Sequence, residues 1–353
     1  IFSMTFSKKV INFEMFPKDM EEIMIEDKVK TAKSEGQIVI YTTLKDVLLN
    51  LISGYRDAHK QDHTHISFYS AHPMAVYNKI KEEIKAGIPT ADMVILPHYL
   101  VLQMQREGFF RSYTSIETKS YPKEFYSKDG WATMLVEPIG PVYNPFKLNE
   151  GDIPTTVEEL VDPKWKGKIA MQSLTKHSEG MLGLYYIMAL KQYLGEKRWR
   201  SFLSNLVKNV NPAVFECLLY MSQSVGNGDY QIGIPITIRK ASMIDAVEGM
   251  KEGRVEYLPL EDVPQMASFK TMGLMKNGSN PKTANQYYDF ALSKGFQELL
   301  GQRKCGELPS RPGVKTTFWV TTPNIQGTHY FPKMEDVANF QRSVSEIKTL
   351  GLI

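Results

Sequence analysis

Three histidines set the metal chemistry open to this chain: His72, His98 and His177. Imidazole is the side chain most often found on protein-bound transition metals. Each of the three follows an apolar run within a short polar stretch: Ser70-Ala71-His72, Pro97-His98-Tyr99 and Ser173–Glu179. The chain holds seven histidines in 353 residues, and uniform scatter would place far fewer than three in such short segments. Converging, these rings would bind a transition ion, with Tyr99, Tyr143 or Glu179 adding oxygen ligands. A single loop histidine is more often solvated or hydrogen-bonded, so the metal reading needs all three together. Hydroxyls offer a second chemistry. Thr42, Thr43, Ser70, Ser173, Thr175 and Ser178 fall at expected helix starts, where outward N–H groups favour a small anion. Lys45, Lys176 and Arg239 could add charge-assisted bonds to it. Ser and Thr also cap helices in any protein, which is the reading given to Thr43 and Ser178.

The surrounding pattern says what must position these groups. Gln37–Tyr41 is β-branched and short, and Lys45–Arg56 carries apolar residues at helical spacing. Ile66–Tyr69 reads as a strand, followed by a helix from Pro73 to near Gly87. Asp92–Leu96 is a third strand, with a helix closing at Gly108. Three strand–loop–helix units in series predict a parallel sheet, and open parallel sheets bind ligands beyond the carboxyl ends of their strands. Glu137–Pro145 and Tyr257–Val263 read as extended segments that cross between two lobes. Residues 1–137 and 264–353 would then form a discontinuous first lobe and 138–263 an inserted second one. Between them, Pro154–Leu160 is expected to be helical, Lys168–Met171 a strand, and about Gly180–Tyr193 a long helix. Tyr185-Tyr186 and Tyr287-Tyr288 suit helix packing into a core.

Composition excludes several functions. Lys and Arg number 42 against 39 Asp and Glu, a net charge of +3, with no basic tract interleaved with aromatics, so nucleic acid is not an expected partner. No apolar run is long enough for a bilayer span. There is no Gly-rich phosphate loop, Gly-x-Ser-x-Gly elbow or Cys-x-x-Cys pair, and Cys217 has no histidine assignable to it by spacing. An enzyme is therefore not expected, and no cofactor is required. Two cysteines, Cys217 and Cys305, leave thiols or a bridge open. His63-Thr64-His65 precedes its strand at the amino end, away from the expected cleft.

Taken in order, several landmarks resemble one family: Glu35–Thr42, Gly87–Val94, Val142-Tyr143-Asn144, Asp162–Ala170, Gly228–Ile234, Lys276–Pro281 and Pro309–Val314. The chain is similar to type II periplasmic binding proteins, specifically the extracellular solute-binding family of ferric-iron and phosphonate receptors. The resemblance implies an α/β, two-lobed fold with mixed, mostly parallel sheets flanked by helices and two interlobe crossings, with the hinge at Glu137–Asn144 and Tyr257–Gln265. It implies a substrate-binding component of an ABC importer, closing over a small solute and docking on a membrane permease. Iron or another transition ion at His72, His98 and His177 is the first ligand expected, and a phosphonate, phosphate ester or carboxylate the alternative. Thr42, Thr43, Ser70, Tyr143, Ser173, Thr175 and Arg239 complete the expected ligand set, Ser173 and Thr175 because the family uses that loop. The family's iron receptors carry a tyrosine pair where this chain reads Pro235-Ile236-Thr237-Ile238-Arg239, and a histidine where it reads Thr42-Thr43-Leu44-Lys45. Ferric binding by paired phenolates is therefore not expected. A periplasmic or extracellular location follows, with a tether through a removed N-terminal segment as one form, and the C-terminal extension from Val320 as a surface for homo-oligomers.

Overall fold

Each apolar run in the first part of the chain becomes a strand, and each amphipathic run a helix on the sheet. The computed structural model describes residues 36–59, 64–174, 182–237, 255–258, 260–264, 266–301, 308–315, 345 and 347–349. The first lobe opens with β1 (Gln37–Thr42), α1 (Lys45–Ala58), β2 (His65–Ser70), α2 (Pro73–Ala86), β3 (Met93–Pro97) and α3 (His98–Arg106). β1 lies parallel to β2 from Gln37↔His65 to Thr42↔Ser70, and parallel to β3 from Ile40↔Met93 to Thr42↔Ile95. α2 shows how local sequence sets its ends. Pro73 occupies the first helical position, where its missing N–H costs nothing. Gly87 takes the left-handed conformation at φ 73°, and the Ile88 N–H closes the end on Glu83 O at 3.0 Å.

The chain continues through β4 (Tyr126–Ser127), β5 (Trp131–Tyr143), β6 (Ile169–Gln172), α4 (Leu182–Asn205), β7 (Ala213–Phe215), α5 (Leu218–Gly226) and β8 (Ile232–Thr237). It returns through β9 (Glu256–Tyr257) and β10 (Met266–Leu274) to α6 (Pro281–Leu292), α7 (Lys294–Gly301) and β11 (Leu308–Pro309). The strand order is β2-β1-β3-β10-β5-β8-β6-β7, with β4, β9 and β11 also on β5. β10 runs antiparallel to both β3 and β5, while β6 is parallel to β7 and β8. No helix among the described residues is long and apolar enough to cross a membrane.

Buried side chains divide where the chain crosses. One cluster gathers Ile38, Leu48, Phe269 and Tyr287 beneath α1, α6 and α7, and another gathers Val94, Leu96, Val101 and Met104 on the opposite sheet face. A third holds Ile139, Trp165, Ile187, Trp199, Phe202 and Met266. Along β5 the change comes between Val136 and Ile139, and along β10 between Met266 and Ala267. Each fully buried Leu, Ile or Phe contributes about 1.5–3 kcal/mol, so each side has the means to hold its own shape. Tyr186, Tyr287 and Tyr288 are core residues as their helical positions predict.

Four family landmarks are structural nodes. Asp92 is buried and accepts the Val39 N–H at 2.8 Å, the Asn280 N–H at 2.7 Å and the Asn280 side-chain amide at 3.0 Å. Gly278 is required beside it, since a Cβ there would stand 2.8 Å from Asp92 Cα. Asn144 donates to Val225 O at 2.8 Å and Gly226 O at 3.0 Å and accepts the Phe146 N–H at 2.9 Å. Trp165 donates to Glu159 O at 2.7 Å. Ser310 donates to Thr133 O and Met134 O at 2.7 and 2.9 Å, binding the end of the first lobe to β5.

Four expectations change. Thr43 does not cap α1: Leu44 is the capping residue and makes no side-chain cap bond. His98 is not in a loop, because α3 starts directly at the end of β3 with Pro97 as its cap. Pro154–Leu160 forms turns and a short 3-10 helix over Glu159–Val161, since the carboxylates of Glu159 and Asp262 take the Thr155 and Val157 N–H groups and Pro163 disfavours helix at Asp162. Ile347 is fully buried in the second-lobe cluster, so the chain that runs in the first lobe to Lys315 meets the second lobe again. The assignment of 264–353 wholly to the first lobe therefore does not hold at Ile347. Cys305, His63 and 316–344 lie outside the described residues, so the expectation for the C-terminal extension falls almost entirely there.

Candidate functional site

The carboxyl ends of β1, β2 and β3 lie side by side and are bonded to one another. Thr43 N–H donates to Ile95 O at 3.2 Å, and Ala71 N–H to Thr42 O at 3.3 Å. Thr42 is buried, and its hydroxyl accepts the Leu44 N–H at 3.0 Å, so its role is to hold the turn into α1. Ser70 is half-buried at the last position of β2. Three buried polar atoms in the next few residues make no hydrogen bond: Thr43 Oγ1, His72 Nε2 and Tyr99 Oη. One comes from each strand–helix junction. Leaving such groups unsatisfied costs about 1–3 kcal/mol each, a cost relieved by a ligand that pairs them.

His72 caps α2, its Nδ1 accepting the Met74 N–H at 3.3 Å. A neutral imidazole that accepts at Nδ1 carries its proton on Nε2, which makes the orphaned Nε2 a donor. Tyr99 lies in the first turn of α3, and burial raises its phenol pKa. α2 and α3 pack side by side through Tyr77, which donates to Glu107 Oε1 at 2.6 Å, so His72 and Tyr99 stand on neighbouring helix starts.

Two expected ligands lie elsewhere. His98 is 5% exposed, bonded through Nδ1 to Thr271 Oγ1 at 2.9 Å, with its ring edge-on to Trp131 at 5.1 Å. Burial lowers its pKa to about 3, so the ring is neutral. It is a core residue between α3 and β10, because the helix begins one residue earlier than a loop reading allows. Tyr143 pairs with Ile232 at the amino end of β8, whereas Ile139 pairs with Thr237 at its carboxyl end. Four residues at ~3.3 Å each carry Tyr143 ~13 Å from the carboxyl ends. There it donates to Glu256 Oε2 at 2.8 Å.

In the second lobe, the carboxyl ends of β6, β7 and β8 bring Gln172, Ser173, Phe215 and Thr237 to the side that faces the first lobe across β5 and β10. Ser173 is buried, and its N–H donates to Phe215 O at 2.8 Å. Thr175, Lys176, His177, Ser178, Glu179 and Arg239 lie outside the described residues. Among the described residues no three His, Cys, Asp or Glu side chains gather in a metal-binding cluster.

One contact beside the crossing is absent from the sequence reading, which has Glu137 only as the start of the hinge and does not name Lys270. Lys270 Nζ sits 2.9 Å from Glu137 Oε2, with side chains only 14% and 5% exposed. The signal was available: each is the single charge of its strand, and a charge inside a buried strand needs a partner.

This architecture has many counterparts among solved structures. Iron-bound HitA from Pseudomonas aeruginosa is 16% identical, with 89% of this chain and 99% of that one covered and a TM-score of 0.73. The substrate-binding protein of an ABC transporter from Agrobacterium tumefaciens is also 16% identical, covering 90% and 94%, with a TM-score of 0.73. The Trichodesmium protein IdiA (FutA), solved with iron and citrate, is 18% identical, covering 89% and 98%, with a TM-score of 0.68. The fold is therefore the two-lobed type II periplasmic-binding-protein fold. The family model described as bacterial extracellular solute-binding protein matches residues 89–318, well over half of the 353-residue chain. The chain belongs to the bacterial extracellular solute-binding protein family.

Proposed function

We propose that this protein is the binding component of an ABC importer and carries iron to a membrane permease. The observation behind the reading is the row of unpaired buried polar atoms, Thr43 Oγ1, His72 Nε2 and Tyr99 Oη, at the carboxyl ends of the three parallel strands; to ligate iron through Nε2, His72 would release the Met74 N–H and carry its proton on Nδ1. Iron-binding proteins among its structural neighbours support the choice of cargo. The two lobes, 1–137 with most of 264–353 and 138–263, would close on the cargo, with Ser173, Thr175, His177 and Arg239 as the second lobe's contribution. Closure follows because cargo touching both lobes stabilises only the closed form. Tyr99 takes the place given to His98 in the first lobe, as an oxygen donor. The protein would act outside the cytoplasm, and a membrane tether would keep it near its permease.

A second reading has its own observation. His72 Nδ1 already accepts a backbone N–H, so Nε2 is a donor as it stands and suits an anionic oxygen. On that reading the cargo is a phosphonate, phosphate ester or carboxylate. Tag-free protein should be assayed for metal and titrated with ferric nitrilotriacetate, citrate alone and methylphosphonate, reading thermal stability. Ligand at a hundred times its Kd raises stability by about 2.7 kcal/mol. Stabilisation by the iron complex, lost in His72→Ala, supports iron. Stabilisation by an anion without metal replaces that reading with the second, and stabilisation by none overturns both.

A further inference from the structure

We propose that Glu137 and Lys270 form a clamp that makes the two interlobe strands bend as one ribbon, on the second-lobe side of the pair. The inference rests on the lobe closure proposed above. Glu137 sits on β5 between Val136, the last residue of that strand in the first-lobe core, and Ile139, the first in the second. Lys270 sits on β10, which enters the first-lobe core at Ala267. Glu137 stands opposite Ser268, and Lys270 opposite Leu135, so the two charges are diagonal neighbours on one face of an antiparallel pair. A diagonal contact changes length when either strand slides along the other, lengthening in one direction and crowding in the other. Both side chains are nearly buried and 2.9 Å apart, and a charge pair removed from water tolerates little separation.

Beyond the clamp the ribbon is built to flex. Past Ile139, where pairing with β10 ends, the register of β5 with β8 shifts between Gly140 and Val142. Gly140 lies directly against the Tyr257 ring, where a Cβ would stand 2.6 Å from the nearest ring atom. A bulge and a residue without a side chain are features of a strand that bends. A second register shift lies between Lys270 and Thr271, so the pair holds the short paired stretch Leu135–Glu137 with Ser268–Lys270 between two irregularities and places the bend at 138–142 and 266. A defined axis preserves the share of molecules able to close, and apparent affinity scales with that share.

The test uses the full chain and four variants: Glu137→Gln, Lys270→Met, the exchanged pair Glu137→Lys/Lys270→Glu, and the apolar pair Glu137→Leu/Lys270→Met. Amide hydrogen exchange of the unloaded protein is read at 132–143 and 266–272, beside titration with ferric nitrilotriacetate. Both single variants are expected to speed exchange at 132–137 and 267–272 at least tenfold and to weaken binding about tenfold. The exchanged pair should return both toward the starting values. The apolar pair should keep the melting temperature but exchange as fast as the single variants, separating clamping from simple stability. Slow exchange at these amides in the apolar pair overturns the proposal, as does an exchanged pair no better than the single variants. Because exchange is measured without cargo, failure of the iron reading would appear only in the titrations.

Discussion

Removing an orphaned hydroxyl from the first-lobe junctions should stabilise the protein while weakening cargo binding. The perturbations are Thr43→Val and Tyr99→Phe, each deleting one polar atom with nearly the same shape. Neither Thr43 Oγ1 nor Tyr99 Oη has a hydrogen-bond partner. Each hydroxyl thus carries a desolvation cost of about 1–3 kcal/mol that its apolar replacement does not. Taking ~1 kcal/mol, and ~2–4 °C per kcal/mol for a unit of lobe size, each variant should raise the Tm of the unloaded protein by ~2–4 °C. If Thr43 instead capped α1, its loss would cost ~1 kcal/mol and lower the Tm by a similar amount. The sign of the change decides. In the loaded protein the same hydroxyl would complete a bond worth ~0.5–1.5 kcal/mol, and with the ~1 kcal/mol gained by the unloaded variant this makes ~1.5–2.5 kcal/mol, so affinity should fall roughly ten- to seventyfold. Differential scanning fluorimetry and a titration with the binding ligand give both numbers. A Tm that falls by 2 °C or more in either variant, or affinity unchanged in both, would refute the assignment of these atoms to the cargo.

Three further outcomes follow from the framework. Asp92→Asn can keep the Val39 N–H and the Asn280 side-chain amide on one carboxamide oxygen, but the Asn280 N–H then faces an NH2 group and loses its acceptor; the loss should be about 2 kcal/mol and lower the first-lobe Tm by ~4–8 °C, and a shift under 2 °C in a thermal melt would contradict it. His98, with its pKa lowered by burial to about 3, is neutral when folded and gains a proton on unfolding below pH 6.5. Stability from this residue is therefore full above pH 6.5 and lost as pH falls toward 3, by ~1.4 kcal/mol per unit. A Tm series from pH 7 to 4 should fall less steeply in His98→Gln than in the parent, and equal slopes would remove His98 from the account. Ser310→Ala loses the donor to Thr133 O and Met134 O, and should cost ~1–2 kcal/mol by thermal melt without altering ligand affinity at a temperature where both proteins are folded.

What the sequence made legible has a physical pattern. The three strand–helix units, the apolar crossing strand and the tyrosine doublets were readable because strands buried on both faces need short continuous apolar runs and packed helices need period 3.6, and β3, β5 and α6 carry those patterns openly. The site was less legible. His98 was read into a cleft because one residue separates a loop position from the first turn of a helix, and no periodicity resolves that offset. Tyr143 looked close to the site because it lies within the crossing segment, but distance from the cleft depends on register with β8, which is a pairing between distant segments. Thr43 looked like a cap because hydroxyls at helix starts usually are; only the geometry leaves its oxygen unpaired.

The landmarks that carry the family resemblance explain this asymmetry. Asp92 with Asn280, Asn144 with Val225 and Ser310 with β5 each satisfy backbone or buried polar groups far along the chain, and Trp165 does so locally at Glu159. None of them is among the orphaned atoms at the strand ends. Residues of this kind are fixed by the fold's own hydrogen-bond needs, since an unpaired buried amide is costly whatever the protein carries. Cargo chemistry instead rests on side chains whose partners are absent until the ligand arrives, and these can change without disturbing the nodes. A chain can therefore keep this architecture while the side chains at its strand ends vary, and the proposed cargo would be read at the unpaired atoms of Thr43, His72 and Tyr99 rather than at the nodes.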